Sequence, residues 1–340
     1  MATNVSYANS DSILESLVLH TLPDFGPHGD GVINTNFLFS ALKGKDKKEG
    51  SSKRFQVIDG GLEFWNGIMK AENSNFKWQS HTSDMTANLQ DPTARLRFDI
   101  KVFTGALVIN QLHKAQNKGK AMVKEFARTL REQAESTIPN QFNSAFWSSS
   151  PASTEPESIP SIISATPSTG TIGGLSRSGN AYLQNGAYTT AIADIGSEAG
   201  IATLVELIIR YSRPDMIDLV MMDATRYANL VGYANTLKQY VRDQSMAKLG
   251  FSALWVNDTM VTYEALSGDL LASANTITSQ YMYGICSKHL KVKTLRDGDA
   301  VWGKEFERVG KSLNKMLPFY WFGNLTVDLP CNHFVATNVS

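Results

Sequence analysis

Between residues 94 and 102 the sequence keeps a strict period of two. Ala94, Leu96, Phe98, Ile100 and Val102 alternate with Arg95, Arg97, Asp99 and Lys101. Successive side chains on a strand point to opposite faces, so this spacing predicts a β-strand with one apolar and one charged face. Upstream lie two more strand-like runs, RFQVID (54–59) and LEFWNGIM (62–69), parted by Gly60 and Gly61, a pair that reads as a bulge or bend. Residues 70–92 are rich in Ser, Asn, Thr and Asp, lack any sustained period and read as a long loop. Segments 54–69 and 93–109 therefore pair as the legs of a long hairpin with a polar tip. Such a hairpin is marginal alone in water, so its apolar face needs cover from the rest of the chain or from another copy. Leu96, Phe98 and Ile100 on that face are candidates for contact between subunits. So are Phe76 and Trp78, aromatic side chains on an otherwise polar loop.

The strongest helical pattern follows. Met122, Phe126, Leu130, Ala134, Ile138, Phe142 and Phe146 recur four apart over residues 118–146, and Arg128/Glu132 and Arg131/Glu135 are spaced to pair on the exposed side. At 1.5 Å per residue the helix is about 40 Å long. Pro139 near its end removes a backbone donor and is expected to kink or stop it. A Ser/Pro linker (148–161) and a glycine-rich irregular segment come next, and a second folded unit begins near Ile195. There GIATLVELIIRYSR reads as a helix, DLVMMD as a buried strand and ATRYANLVGYANTLKQYV as another helix, with strands at SALWV, MVTYEAL, MYGICS and HLKVKTL. The closing run MLPFYWFGNLTVDLP is too aromatic and β-branched for a solvated tail. The first 52 residues read as an extended arm with one short helix near Ile13, interrupted by PDFGPHGDG. No internal repeat occurs at a fixed period.

Composition excludes several classes. Lys plus Arg and Asp plus Glu both number 32, so no net field draws the chain to nucleic acid, membrane or an acidic substrate. Hydrophobic residues make up 42% and charged residues 19%, values of a chain that folds. Cys286 and Cys331 stand far apart without CxxC spacing, which encodes neither a disulfide framework nor a zinc site and fits a reducing compartment. Neither a secretory signal nor a run of 18 apolar residues is legible.

Searches for chemistry return little. Gly119-Lys120 is followed by Ala121, and TGTIGG has no lysine, so no phosphate-cradling loop of the GxxxxGK[ST] kind is present. The six histidines form no HExxH or His-x-His pair. Asp24, His28 and Asp30 lie close together in the arm and could hold a cation, although carboxylates of this kind are ordinary turn formers. GLSRSG spaces its serine wrongly for a nucleophile elbow. Trp65, Phe76, Trp78, Trp147 and Trp321 lack interleaved Lys and Arg, so packing or interface roles explain them better than base stacking. Neither a catalytic residue nor a cofactor or metal site is expected.

The order of parts resembles the major capsid protein of tailed bacteriophages, the Hong Kong 97 type. The likeness is carried by residues 72–117 (ENSNFKWQSHTSDMTANLQDPTARLRFDIKVFTGALVINQLHKAQN), STGTIGGLSR (168–177), DATRYANLVGYANTLKQY (223–240), GFSALWVNDTMV (250–261) and WFGNLTVDL (321–329). The resemblance implies an α+β fold with an N-terminal arm (1–52) and an extended loop (53–110). A peripheral domain with a spine helix (111–194 and 300–340) and an axial α/β domain (195–299) complete it. It further implies a shell subunit that forms hexamers and pentamers of itself and encloses double-stranded DNA without reading its sequence. Such a shell assembles in the cytoplasm of a bacterial host and becomes the virion capsid, without a membrane. A portal and a separate scaffolding protein are implied partners, the latter because only about fifty residues precede the hairpin. Relatives that weld subunits by a Lys to Asn bond make Lys70, Lys77 and Asn324 nominal candidates, but no local motif fixes such a pair. The alternatives are an encapsulin-like compartment shell and an α/β enzyme or ligand-binding protein built on residues 195–299.

Overall fold

The computed structural model describes residues 55–69, 72–84, 88–89, 93–110, 120–192, 194–237, 254–264, 277, 280–303, 307–308 and 314–340, with backbone alone at some helix and strand positions. The arm, the Asp24/His28/Asp30 group and Lys70 lie outside the described residues. In chain order the elements are β1 (Phe55–Ile58), β2 (Glu63–Met69), β3 (Thr93–Asp99), β4 (Lys101–Asn110), α1 (Lys120–Phe146), α2 (Ile159–Ile162), β5 (Thr171–Ile172), β6 (Leu175–Ser176) and β7 (Gly186–Tyr188). The second half adds α3 (Glu198–Tyr211), β8 (Leu219–Met222), α4 (Ala224–Leu237), β9 (Leu254–Val256), β10 (Thr259–Tyr263), β11 (Met282–Ile285), β12 (Leu290–Leu295), β13 (Val301–Trp302), β14 (Glu307–Arg308), β15 (Asn314–Val327) and β16 (Phe334–Ala336).

Two six-stranded sheets organise the molecule. The first sheet is built on β15. One edge of β15 pairs antiparallel with β4 from Asn314↔Asn110 to Gly323↔Lys101, and the other edge pairs in turn with β12, β13 and β14. Helix α1 packs across one face of this sheet, with the Phe142 ring 4.9 Å from both Phe103 and Trp321. Pro139 sits inside α1 and does not stop it. The turn beyond the proline is held by burial of Phe142 and Phe146, which outweighs one missing backbone bond. The second sheet runs β7-β16-β11-β8-β10-β9 and has its own core, in which Leu204, Leu207 and Ile208 of α3 pack on Val220 and Met222.

Topology corrects three expectations. β1 is not a hairpin leg, since it pairs parallel with β12 in the first sheet. Only β2 and β3 form the hairpin, in register from Glu63↔Asp99 to Met69↔Thr93. The second leg changes partner at residue 100, and its alternation changes phase there. Leu96 and Phe98 are buried on β3, whereas on β4 Leu107 and Ile109 are buried and Val102 is 54% exposed. Finally, neither sheet coincides with the span 195–299. β12, inside that span, joins the first sheet at Leu290, while β7 and β16 from outside it complete the second.

Candidate assembly surface

The hairpin root is sealed against its own chain. Phe64, Ile68, Leu96 and Phe98 belong to the main core, so Leu96 and Phe98, expected to touch another subunit, have no surface left with which to do so. Ile100 is half-buried against the same core. Each buried apolar side chain here stabilises the docked root by about 1.5–3 kcal/mol. The cover is supplied by the glycine-rich segment, which folds into a β5–β6 hairpin on a two-residue turn. Gly173 and Gly174 both have positive φ (53° and 77°), as a type I′ turn demands. That turn bonds directly to β3, with Arg97 N donating to Gly173 O at 3.0 Å.

Polar struts hold the same root. Asn66 Nδ2 donates to Val327 O at 2.9 Å. Lys293 Nζ donates to Trp65 O at 3.0 Å and to Asn66 Oδ1. Burial pushes the Lys293 amine down from its ordinary range, opposed by Asp328. Behind the glycine turn, buried Arg177 donates to Asn185 Oδ1 (3.1 Å), Ser161 O (2.6 Å) and Ile162 O (2.9 Å), closing the end of α2. Its guanidinium is likewise pushed down by burial, with Glu157 acting against the shift. Asn324 is fully buried. Its amide donates to Asp99 O and its oxygen accepts from Glu157 N, both at 2.8 Å, so it offers nothing to a lysine of a neighbouring molecule.

The tip is different. Asn73 Oδ1 accepts from Asn75 N at 3.0 Å, and Asn75 in turn clasps Asn88 from both sides. Its Nδ2 donates to Asn88 O (2.7 Å) and its Oδ1 accepts from Asn88 N (3.1 Å). One side chain thus reproduces the bond pair of an antiparallel ladder where the strands have ended. On this clasped loop Phe76 is 86% exposed, and Trp78 and Leu89 are wholly exposed. The outward face of the root adds Leu62 and Trp65, the latter under the Arg95 guanidinium at 5.0 Å. Of the expected contact residues, the structure therefore leaves Phe76 and Trp78 open and withdraws Leu96 and Phe98.

A cavity of about 180 Å³ lies where root and glycine segment meet, lined by Ile68, Ala94, Leu175, Asn180, Tyr182 and Leu183 among others. Among the described residues no cluster of His, Cys, Asp or Glu is arranged to hold a metal, and no helix is long and apolar enough to cross a membrane.

No protein-family model matches the sequence, and no curated protein matches it either. Solved structures do. The capsid asymmetric unit of cyanophage A-1(L) superposes with a TM-score of 0.58 at 8% identity, over 84% of this chain and 90% of that one. The chain has the Hong Kong 97-type capsid fold. The capsid of a native GTA particle matches the same fold at TM-score 0.52 and 9% identity, over 87% of this chain and 95% of that one. So does the holo-SrpI encapsulin complex from Synechococcus elongatus PCC 7942, at TM-score 0.51 and 9% identity, over 88% and 95%.

Proposed function

We propose that this chain is a major capsid protein of a tailed phage, assembling as hexamers and pentamers into an icosahedral shell around double-stranded DNA in the host cytoplasm. The observation that carries the proposal is the clasped hairpin tip. Phe76 and Trp78 stand in water on a loop pre-ordered by Asn75, on a fold that the capsids above share. Large exposed apolar side chains on an ordered element mark a protein contact, and pre-ordering reduces the entropy lost on binding. The zero net charge fits a wall that holds DNA without gripping it. A scaffolding protein and a portal are the further partners of this reading. Contacts of about 1,200–2,000 Å² repeated around a closed shell provide strength that no single contact needs to have.

Similarity to the SrpI encapsulin complex favours a second reading, a compartment shell with protein cargo. Expression with the neighbouring genes of its source, followed by electron microscopy of the purified product, tests both. Closed particles with nuclease-protected double-stranded DNA support the phage reading, and particles with protein alone support the compartment. A product that stays monomeric under every assembly condition overturns both.

A further inference from the structure

We infer that the free edge of β4 pairs antiparallel with β4 of a second copy of this chain, about a two-fold axis at Gly105. The inference rests on the shell reading above and names a contact in which the hairpin takes no part. β4 belongs to the first sheet, where one edge pairs with β15 along its whole length. Among the described residues no strand pairs with the other edge. Every second residue of β4 therefore turns its N–H and C=O outward with no ladder to receive them. Proteins blunt such edges with charge, proline, a bulge or brevity. β4 has none of these from Val102 to Ile109. It is ten residues long, its register on β15 runs without a bulge, and its single charge, Lys101, reaches away to Ser153 O at 2.8 Å.

The strand's own sequence commits the occupant. Paired residues point to the same face, so odd positions must meet odd and even positions meet even. With Gly105 on the axis, Val102 meets Val108, Phe103 meets Leu107 and Thr104 meets Ala106. Large apolar side chains thus face large ones and small face small, on both faces of the sheet. Val102 and Val108, 54% and 48% exposed on the face away from α1, cover each other. Phe103, only partly buried, gains the cover of Leu107. An axis at Thr104 would set Lys101 against Leu107, and one at Ala106 would set Leu107 against Gly105 and Val102 against Asn110. The edge is therefore complementary to its own reverse and carries no charge that would repel its like. Contacts inside a ring of subunits run head to tail, so this two-fold contact joins one ring to the next.

The test uses assembled particles of the full chain. The photoreactive residue p-benzoylphenylalanine replaces exposed Thr104, particles are formed from mixed heavy- and light-isotope subunits, and cross-linked peptides are mapped. The expected link joins position 104 to residues 102–108 of a differently labelled copy. Two double variants test the register. Positions 102 and 108 of one strand stand about 20 Å apart at roughly 3.3 Å per residue, so charges placed there meet only across the axis. Val102→Lys/Val108→Lys should raise the subunit concentration needed for particles about tenfold, whereas Val102→Lys/Val108→Glu should stay within about threefold of native. Both should keep the native circular dichroism spectrum, since both positions are exposed. A link that maps within one copy, to another protein or elsewhere on the second copy overturns the pairing and leaves the shell reading standing, and so do double variants that assemble alike. Native chain that forms no particles overturns both.

Discussion

Gly173 and Leu96 touch so closely that a Cβ added to the glycine would lie 2.7 Å from Leu96 Cβ and 3.0 Å from its Cα. Neighbouring Gly174 has open space at the same position, although its φ is positive as well. The two substitutions therefore separate collision from backbone strain. Gly174→Ala should cost about 1 kcal/mol, the penalty of a left-handed alanine. Gly173→Ala adds the collision and should cost about 2–4 kcal/mol, because Leu96 has no free volume into which to retreat. Urea denaturation of both variants checks the difference, and equal losses would show that the turn does not clamp β3.

The Lys293 amine is a second fastening of the same root. Lys293→Met removes the donor to Trp65 O and Asn66 Oδ1 in a buried setting and should cost about 1–3 kcal/mol, since an unsatisfied buried acceptor keeps its full desolvation penalty. In Lys293→Met/Asn66→Leu both partners of that bond become apolar, while Val327 O also loses its Asn66 donor. The double variant should therefore lose less than the two single variants added together, giving a coupling of about 1 kcal/mol in a double-mutant cycle.

The root also shows where sequence reasoning reaches its limit. The period of two from Ala94 to Phe98 stated correctly which face of β3 is apolar, and the periodic stripe of α1 and the aromatic run of β15 placed both elements. Periodicity names a face, however, and not what covers it. The cover of Leu96 comes from Gly173, far along the chain, so assigning Leu96 and Phe98 to another subunit was wrong. Nor did the pattern reveal the change of phase at Ile100. Val102 continues the even-numbered apolar series, but Phe103, Leu107 and Ile109 form an odd-numbered one that is equally apolar. The choice between them is a tertiary one: the register of β4 on β15 turns the odd-numbered series inward, where Phe103 packs on Phe142 and Phe319. Nor does composition say which sheet β12 joins, because a buried strand reads the same in either. The exposure of Phe76 and Trp78 is what their polar neighbours lead one to expect, a contrast that needs no long-range information.

Acid should loosen the junction between the two sheets. His333 is fully buried, its Nδ1 accepts from Cys286 N at 3.1 Å, and burial, aided by His289, pushes its pKa down to about 3. The native imidazole therefore stays neutral while an unfolded histidine takes a proton below about 6.5. Between these values the unfolded chain binds more protons, so this contribution to stability is complete above about pH 6.5 and is lost as pH falls toward 3. Its slope approaches about 1.4 kcal/mol per pH unit. Asp215 acts in a lower window. Its bonds to Lys288 and His289 hold its carboxyl below the usual range, so its contribution is present above about pH 4 and is lost on further acidification. Denaturation of the isolated subunit from pH 8 to 4 should show the first loss, and His333→Asn, which can still accept from Cys286 N, should flatten it.

Asn75 allows assembly to be separated from stability. Its two bonds to Asn88 lie on an exposed loop, where each contributes about 0.5–1.5 kcal/mol at most, and none of the core depends on them. Asn75→Ala should consequently leave the urea midpoint of the subunit nearly unchanged while amide exchange accelerates around residues 73–89. Assembly should respond more strongly. A tip that must be ordered at the moment of contact loses conformational entropy that the clasped tip has already lost on folding, and that difference recurs at every copy of the contact. The subunit concentration needed for particles should rise by about threefold to tenfold, measured by light scattering. Asn75→Asp retains an acceptor for Asn88 N but no donor for Asn88 O, and should fall between the two. A variant that assembles like the native chain despite faster exchange would mean that order at the tip is not what drives the contact.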